Sequence, residues 1–81
     1  MWCVYLIECE NNSIYTGITN DLEKRFQDHK DGKGAKYTQA NKPVKILYSE
    51  KFKNRSEASK REAEIKKWPR EEKLKLIKKV V

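Results

Sequence analysis

Trp2–Cys9 reads WCVYLIEC and Ser13–Thr19 reads SIYTGIT, and the reading of these two stretches decides the fold. The first is almost continuously apolar, β-branched and aromatic, which predicts a strand covered on both faces rather than a half-exposed one. Glu10-Asn11-Asn12 is turn material, because Asn tolerates the left-handed backbone of a tight loop. The two stretches therefore predict a hairpin. Side chains alternate along a strand, so the parity of the loop decides where the tyrosines point. A loop of even length puts Tyr5 and Tyr15 on opposite faces, and an odd loop such as Glu10–Asn12 puts them on the same face. Either tyrosine alone would be ordinary strand core, where aromatics are favoured. A shared site requires the odd loop.

Working outward, Asn20 with Glu23 three positions later resembles a capping box and predicts a helix running to about Lys30. Asp31–Asn41 holds two glycines and no hydrophobic period, and reads as a loop. Pro43–Phe52 (PVKILYSEKF) is a third strand, with Pro43 at its start where a missing N–H matters least. Asn54 with Glu57 repeats the capping pattern and opens a second helix to about Lys67. Trp68-Pro69 interrupts it, and a short basic helix, Pro69–Lys79, follows. Trp68 is expected in the core rather than stacking a base at the surface. The order β-β-α-β-α-α predicts an α+β fold, a small three-stranded antiparallel sheet flanked by helices, as one domain over residues 1–81.

The 81 residues carry 19 Lys+Arg against 12 Asp+Glu, a net charge of +7, so polyanions are the first partners to consider, nucleic acid ahead of membrane. The excess is concentrated at one end: residues 65–81 hold seven Lys/Arg and two Glu. A solvated helix that aids solubility is the plain alternative for such a run. Cys3 and Cys9 share one strand with no His/Cys cluster elsewhere, which excludes a zinc site or a disulfide framework and suits a reducing compartment. No stretch approaches a membrane span, and Met1–Cys9 is too short and lacks the basic start of a signal peptide. A cytoplasmic location is the expectation.

On the first helix Leu22, Arg25, Phe26 and His29 fall on one stripe at i, i+3, i+4, i+7. On the second, Ala58 and Ile65 are the apolar anchors and Glu62 lies between them, while Glu57 and Glu64 fall toward solvent. Three chargeable groups aimed at a small sheet are costly to desolvate unless they pair or bind something. One reading is an internal Arg25–Glu62 ion pair with His29 as a spacer. The other is a site.

The ordered set Tyr5, Tyr15, Gly17, Arg25, His29 and Glu62 resembles a stand-alone GIY-YIG endonuclease domain of the small, single-domain bacterial type, and the likeness covers nearly all of the chain. Val4-Tyr5-Leu6 stands for the first signature triplet and Tyr15-Thr16-Gly17 for the second. Gly34-Ala35-Lys36-Tyr37-Thr38 resembles a glycine-bearing loop of small members. The resemblance implies a metal-dependent endonuclease that hydrolyses phosphodiester bonds in DNA, including branched or nicked DNA. It makes Tyr15 the general base, Tyr5 the residue that positions the water or Tyr15, and His29 the group that orients or assists the base. Arg25 would hold the scissile phosphate, Glu62 would bind one divalent metal, magnesium or manganese, and Gly17 would let the phosphate backbone approach. Tyr37 is a further candidate for substrate contact. A phenol with a pKa near 10 is a poor base at neutral pH, and nearby positive charge lowers such a value. Ile18 stands where several nucleases carry lysine, and Lys73-Leu74-Lys75 stands where some carry asparagine. These residues are expected to carry no specificity module of their own, and a protein partner that supplies targeting is a further expectation. The alternative function is a nucleic-acid-binding module with the same fold and little or no catalysis.

Overall fold

The most apolar strand takes the central place. In the computed structural model, which describes residues 1–78, β1 (Trp2–Cys9) lies between β2 (Ile14–Thr19) and β3 (Pro43–Phe52), and both pairings are antiparallel. Helices α1 (Leu22–Lys30), α2 (Lys36–Ala40), α3 (Arg55–Lys66) and α4 (Arg70–Lys78) complete the fold. A strand with neighbours on both edges and helices on both faces must be apolar throughout, and Val4, Leu6 and Ile7 are wholly buried. Each such side chain contributes about 1.5–3 kcal/mol.

The two faces of β1 feed two clusters. Val4 and Leu6 pack with Ala58 and Ile65 of α3, with Trp68, Leu76 and Ile77 against them. Tyr5, Ile7 and Cys9 pack with Tyr15 and with Leu22 and Phe26 of α1. Trp68 is thus part of the packing, and the Arg61 guanidinium covers its ring at 5.1 Å. Arg61 also holds Glu50 at 2.9 Å, beside the Tyr48 hydroxyl. Burial alone would raise the Glu50 carboxyl, but the bonds from Arg61 and Tyr48 outweigh it and hold the group below its usual range.

The hairpin loop is odd. Cys9 N–H bonds the Ser13 carbonyl at 2.9 Å, leaving Glu10, Asn11 and Asn12 as the loop, and Asn12 takes the left-handed backbone at φ 66°. A three-residue loop ending in a left-handed residue is a common way to close a hairpin. The register that follows pairs Tyr5 with Gly17 and Ile7 with Tyr15. Both tyrosines therefore face α1.

Two local expectations change. The first helix is capped by Asp21, which accepts from Lys24 N–H at 3.2 Å, and not by Asn20. Thr19 at the end of β2 accepts from Asp21 N–H at 3.0 Å and so carries the turn one residue further. Asp31–Asn41 is not loop throughout, since it contains α2. Five residues are too few to display a hydrophobic period, and tertiary contacts of Tyr37 and Thr38 hold the turn in place. The second cap is as expected: Asn54 accepts from Glu57 N–H at 2.9 Å. Lys79, the expected end of the last helix, lies outside the described residues.

Candidate active site

Gly17 is the seat of the site. Its cross-strand partner is Tyr5, and a Cβ built at position 17 would stand 2.5 Å from the Tyr5 hydroxyl and 3.1 Å from a ring carbon of Tyr15. The space left by the missing side chain is used by the Tyr5 ring, whose hydroxyl reaches α1. There His29, one turn beyond Arg25, receives it: Tyr5 Oη and His29 Nε2 are 2.9 Å apart. Both residues are essentially without solvent contact.

The direction of that bond follows from the far side of the imidazole. Thr38 Oγ1 gives its proton to the Ala35 carbonyl at 2.9 Å, so toward His29 Nδ1, 2.7 Å away, it can only accept. His29 therefore carries its proton on Nδ1, and its bare Nε2 accepts from the Tyr5 hydroxyl. Burial and the adjacent Arg25 charge push His29 down from its ordinary 6.5, with Asp28 acting the other way, which keeps the ring neutral. Tyr5 is pushed up to about 12, mainly by burial, against the pull of the Arg25 guanidinium beside it. Tyr5 is a fixed hydrogen-bonded phenol. Thr38 was not anticipated as a site residue from the sequence, and neither was the role of Gly34, where a Cβ would stand 2.1 Å from His29 Nδ1. The signal was the Gly34–Thr38 segment itself, whose glycine and threonine both close on the histidine.

Tyr15 is half-buried and completes the cluster. Its ring centre is 5.3 Å from that of His29, edge to face, and 6.3 Å from that of Tyr5. On its other side Tyr37 of α2 stacks at 6.1 Å with 18° between planes. The Tyr37 hydroxyl donates to Ser13 Oγ and receives Asn11 Nδ2 at 3.5 Å, so α2 is strapped to the hairpin tip over Tyr15.

Arg25 is half-buried beside Tyr5 and lines a surface cleft with Thr19, Asn20, Asp21, Lys24 and Asp28. It makes no ion pair among the described residues. The Arg25–Glu62 pair weighed from sequence is therefore not formed. Glu62, partly buried on the inner side of α3 as the spacing predicted, instead lies 3.4 Å from Lys66, and its charge raises the Tyr5 hydroxyl. The structure thus brings Tyr5, Tyr15, Gly17, His29 and Tyr37 into direct contact, with Arg25 and Glu62 near enough to act on Tyr5. Among the described residues no group of three or more His, Cys, Asp or Glu could form a protein cage for a metal. One carboxylate does suit magnesium, which keeps several waters and takes few protein ligands.

A three-stranded sheet carrying two facing tyrosines, with an arginine and a histidine on the following helix, is the arrangement of a GIY-YIG domain. The family model described as the GIY-YIG catalytic domain matches residues 1–75, and the chain belongs to that family. It is similar to a UPF0213 protein of Oceanobacillus iheyensis, 55% identical over 74 residues, which covers 91% of this chain and 86% of that one. A UPF0213 protein of Staphylococcus saprophyticus is 50% identical, covering 91% and 90%. The solution NMR structure of a UPF0213 protein from Bacillus halodurans superposes with a TM-score of 0.61 at 38% identity, covering 96% of this chain and 84% of that one. Its fold matches the three-stranded antiparallel sheet with helices found here. Membership of the family implies a nuclease-type function and hence nucleic acid as partner; the UPF0213 names carry no specific activity. No helix of the described residues is long and apolar enough to cross a membrane.

Proposed function

We propose that the protein is a metal-dependent endonuclease that hydrolyses phosphodiester bonds in DNA. The observation that carries this reading is Arg25, a half-buried guanidinium with no ion pair among the described residues, set beside the buried Tyr5–His29 pair. A guanidinium at such a place suits a phosphate, which its planar fork matches. Arg25 holds the scissile phosphate and offsets the charge that grows on it. Tyr15, the more exposed of the two signature tyrosines, acts in its deprotonated form. It takes the proton of the attacking water as the water oxygen bonds to phosphorus. The bond to the leaving oxygen breaks, that oxygen leaving with the electron pair and taking a proton from solvent. Tyr5, pinned through His29 and Thr38, keeps its own proton and fixes the position of Tyr15 and the water. Glu62 would hold the metal, whose positive charge would help to stabilise the leaving oxygen. Lys66 must release Glu62 for this.

One observation favours the second reading, a nucleic-acid binder with little catalysis: Lys66 already neutralises Glu62. Nicking of supercoiled, branched and single-stranded DNA with Mg²⁺ or Mn²⁺ separates the two. Wild type is expected to cut at least one substrate, and Glu62→Ala and Arg25→Ala to lose cutting by 10²-fold or more, on the order of one lost electrostatic contact in the transition state. Binding without cleavage on every substrate would leave the second reading.

A further inference from the structure

Tyr15 opens onto a cleft of about 260 Å³ that it shares with Ile14, Thr16, Tyr37, Lys66 and Lys73. The reaction above uses Tyr15 alone of these, and asks of Lys66 only that it release Glu62. Two ammonium groups converge on the cleft, Lys66 from the last turn of α3 and Lys73 from α4. They are close enough that the Lys66 charge, after burial, pushes Lys73 below the usual lysine range, with Tyr37 acting the other way. The carboxylate at hand is Glu62, and it reaches Lys66 only; Lys73 has no ion pair among the described residues. Two like charges held together with one counter-charge are unfavourable without an anion between them.

The remaining walls suit a nucleotide rather than a free anion. Tyr37 is stacked on Tyr15 and is still 42% exposed, so part of its ring is available to a base. Thr16 lines the same cleft, and its hydroxyl is the buried side-chain polar atom that finds no hydrogen-bond partner among the described residues. A buried polar group left unpaired is unusual and marks a place where something arriving completes the bonding.

We propose that this cleft is a second phosphate subsite, in which Lys66 and Lys73 hold the phosphate adjoining the scissile one and Tyr37 carries the neighbouring base. The proposal rests on the nuclease reading for the position of the scissile phosphate, and adds the direction in which the strand leaves it: away from Arg25, across Tyr15, toward α4. Its ligand class is a single strand of DNA, because a stacked base needs to be free of its own duplex neighbours.

The test measures binding without catalysis. Fluorescence anisotropy of a labelled single-stranded DNA hexamer is followed in EDTA at several salt concentrations. Each neutralised phosphate contributes roughly 0.7 to the slope of log affinity against log salt for single strands, so Lys66→Gln/Lys73→Gln, which frees the one phosphate the two share, should lower the slope by about 0.7. Lys45→Gln/Lys53→Gln, on exposed lysines outside the cleft, should lower it less. Replacing phosphates one at a time with neutral methylphosphonates should reveal one position that weakens wild type and has no further effect on the cleft variant. Tyr37→Ala should weaken wild-type binding roughly tenfold. Equal slopes for wild type and the cleft variant would overturn the subsite, even if wild type cuts DNA with magnesium. A reduced slope with no cleavage by wild type would support the subsite while removing the nuclease reading.

Discussion

Replacing Thr38 by valine tests the line of hydrogen bonds that sets the state of the buried histidine. Both residues are wholly buried. Valine keeps the shape and removes the hydroxyl, so His29 Nδ1–H loses its acceptor at 2.7 Å and the Ala35 carbonyl loses its donor at 2.9 Å. A buried donor left unsatisfied costs about 1–3 kcal/mol and the second lost bond about 1 more. A chain of 81 residues has roughly 4–12 kcal/mol to lose. At about 4–8 °C per kcal/mol the melting temperature should fall by roughly 10–30 °C. The variant has one escape. The proton can move to Nε2, but the Tyr5 hydroxyl must then turn and accept, which undoes the arrangement around Tyr15. Melting followed by circular dichroism measures the cost, and long-range ¹H–¹⁵N correlations of the single histidine ring read the tautomer. Wild type should show a protonated Nδ1 and a bare Nε2, and Thr38→Ser should recover most of the stability. Protonated Nε2 in wild type, or a valine variant that melts with wild type and keeps its ring shifts, would refute the reasoning.

Gly17→Ala drives a Cβ to 2.5 Å from the Tyr5 hydroxyl, so overpacking of about 1–3 kcal/mol is expected together with strain on the Tyr5–His29 bond. Gly32→Ala, with φ 77° and nothing within 4 Å, should cost only the left-handed backbone, about 1–2 kcal/mol, and leave the site intact. Urea melts and nicking assays compare the two, and a Gly17→Ala protein that still cuts DNA would show that the seat of Tyr5 is not tight. Because His29 is the sole histidine and its pKa is lowered from 6.5 in the folded state, only the unfolded chain takes up its proton just below pH 6.5. Stability from this group is therefore complete above pH 6.5 and lost as pH falls from there toward the folded value. The loss is at most about 1.4 kcal/mol at pH 5.5. Urea melts at pH 7 and 5.5 should show it in wild type and not in His29→Gln; a flat wild-type profile would contradict the buried neutral ring.

The strands and the helix stripes could be read from sequence because each rests on local pattern: an apolar run for β1, an odd turn at Glu10–Asn12, and spacings of three and four for Arg25, His29 and Glu62. What escaped depends on contacts between distant segments. Nothing near Lys36–Ala40 announces a helix, since its turn is held by Tyr37 against Tyr15 and Thr38 against His29. The cap moved from Asn20 to Asp21 because Thr19 binds the Asp21 backbone, a choice that two adjacent capping residues leave open. Inward aim was legible for Glu62, but its partner was not. A stripe gives a direction, and Lys66, one turn along the same helix, reaches Glu62 at 3.4 Å where Arg25 forms no pair with it.

The tip of a hairpin is ordinarily where a chain can grow or shrink at little cost. Here the tip sets which side of the sheet half of the site occupies. One residue added between Cys9 and Ser13 would advance β2 by a single step only if the turn stayed at three residues; Tyr15 would then lie opposite Leu6 and point behind the sheet, toward Ile65 and Trp68. A turn that opened to four residues would keep Ile7 opposite Tyr15 and both rings on the α1 side. Length drift is therefore tolerated here where the turn takes up the extra residue and not where β2 does.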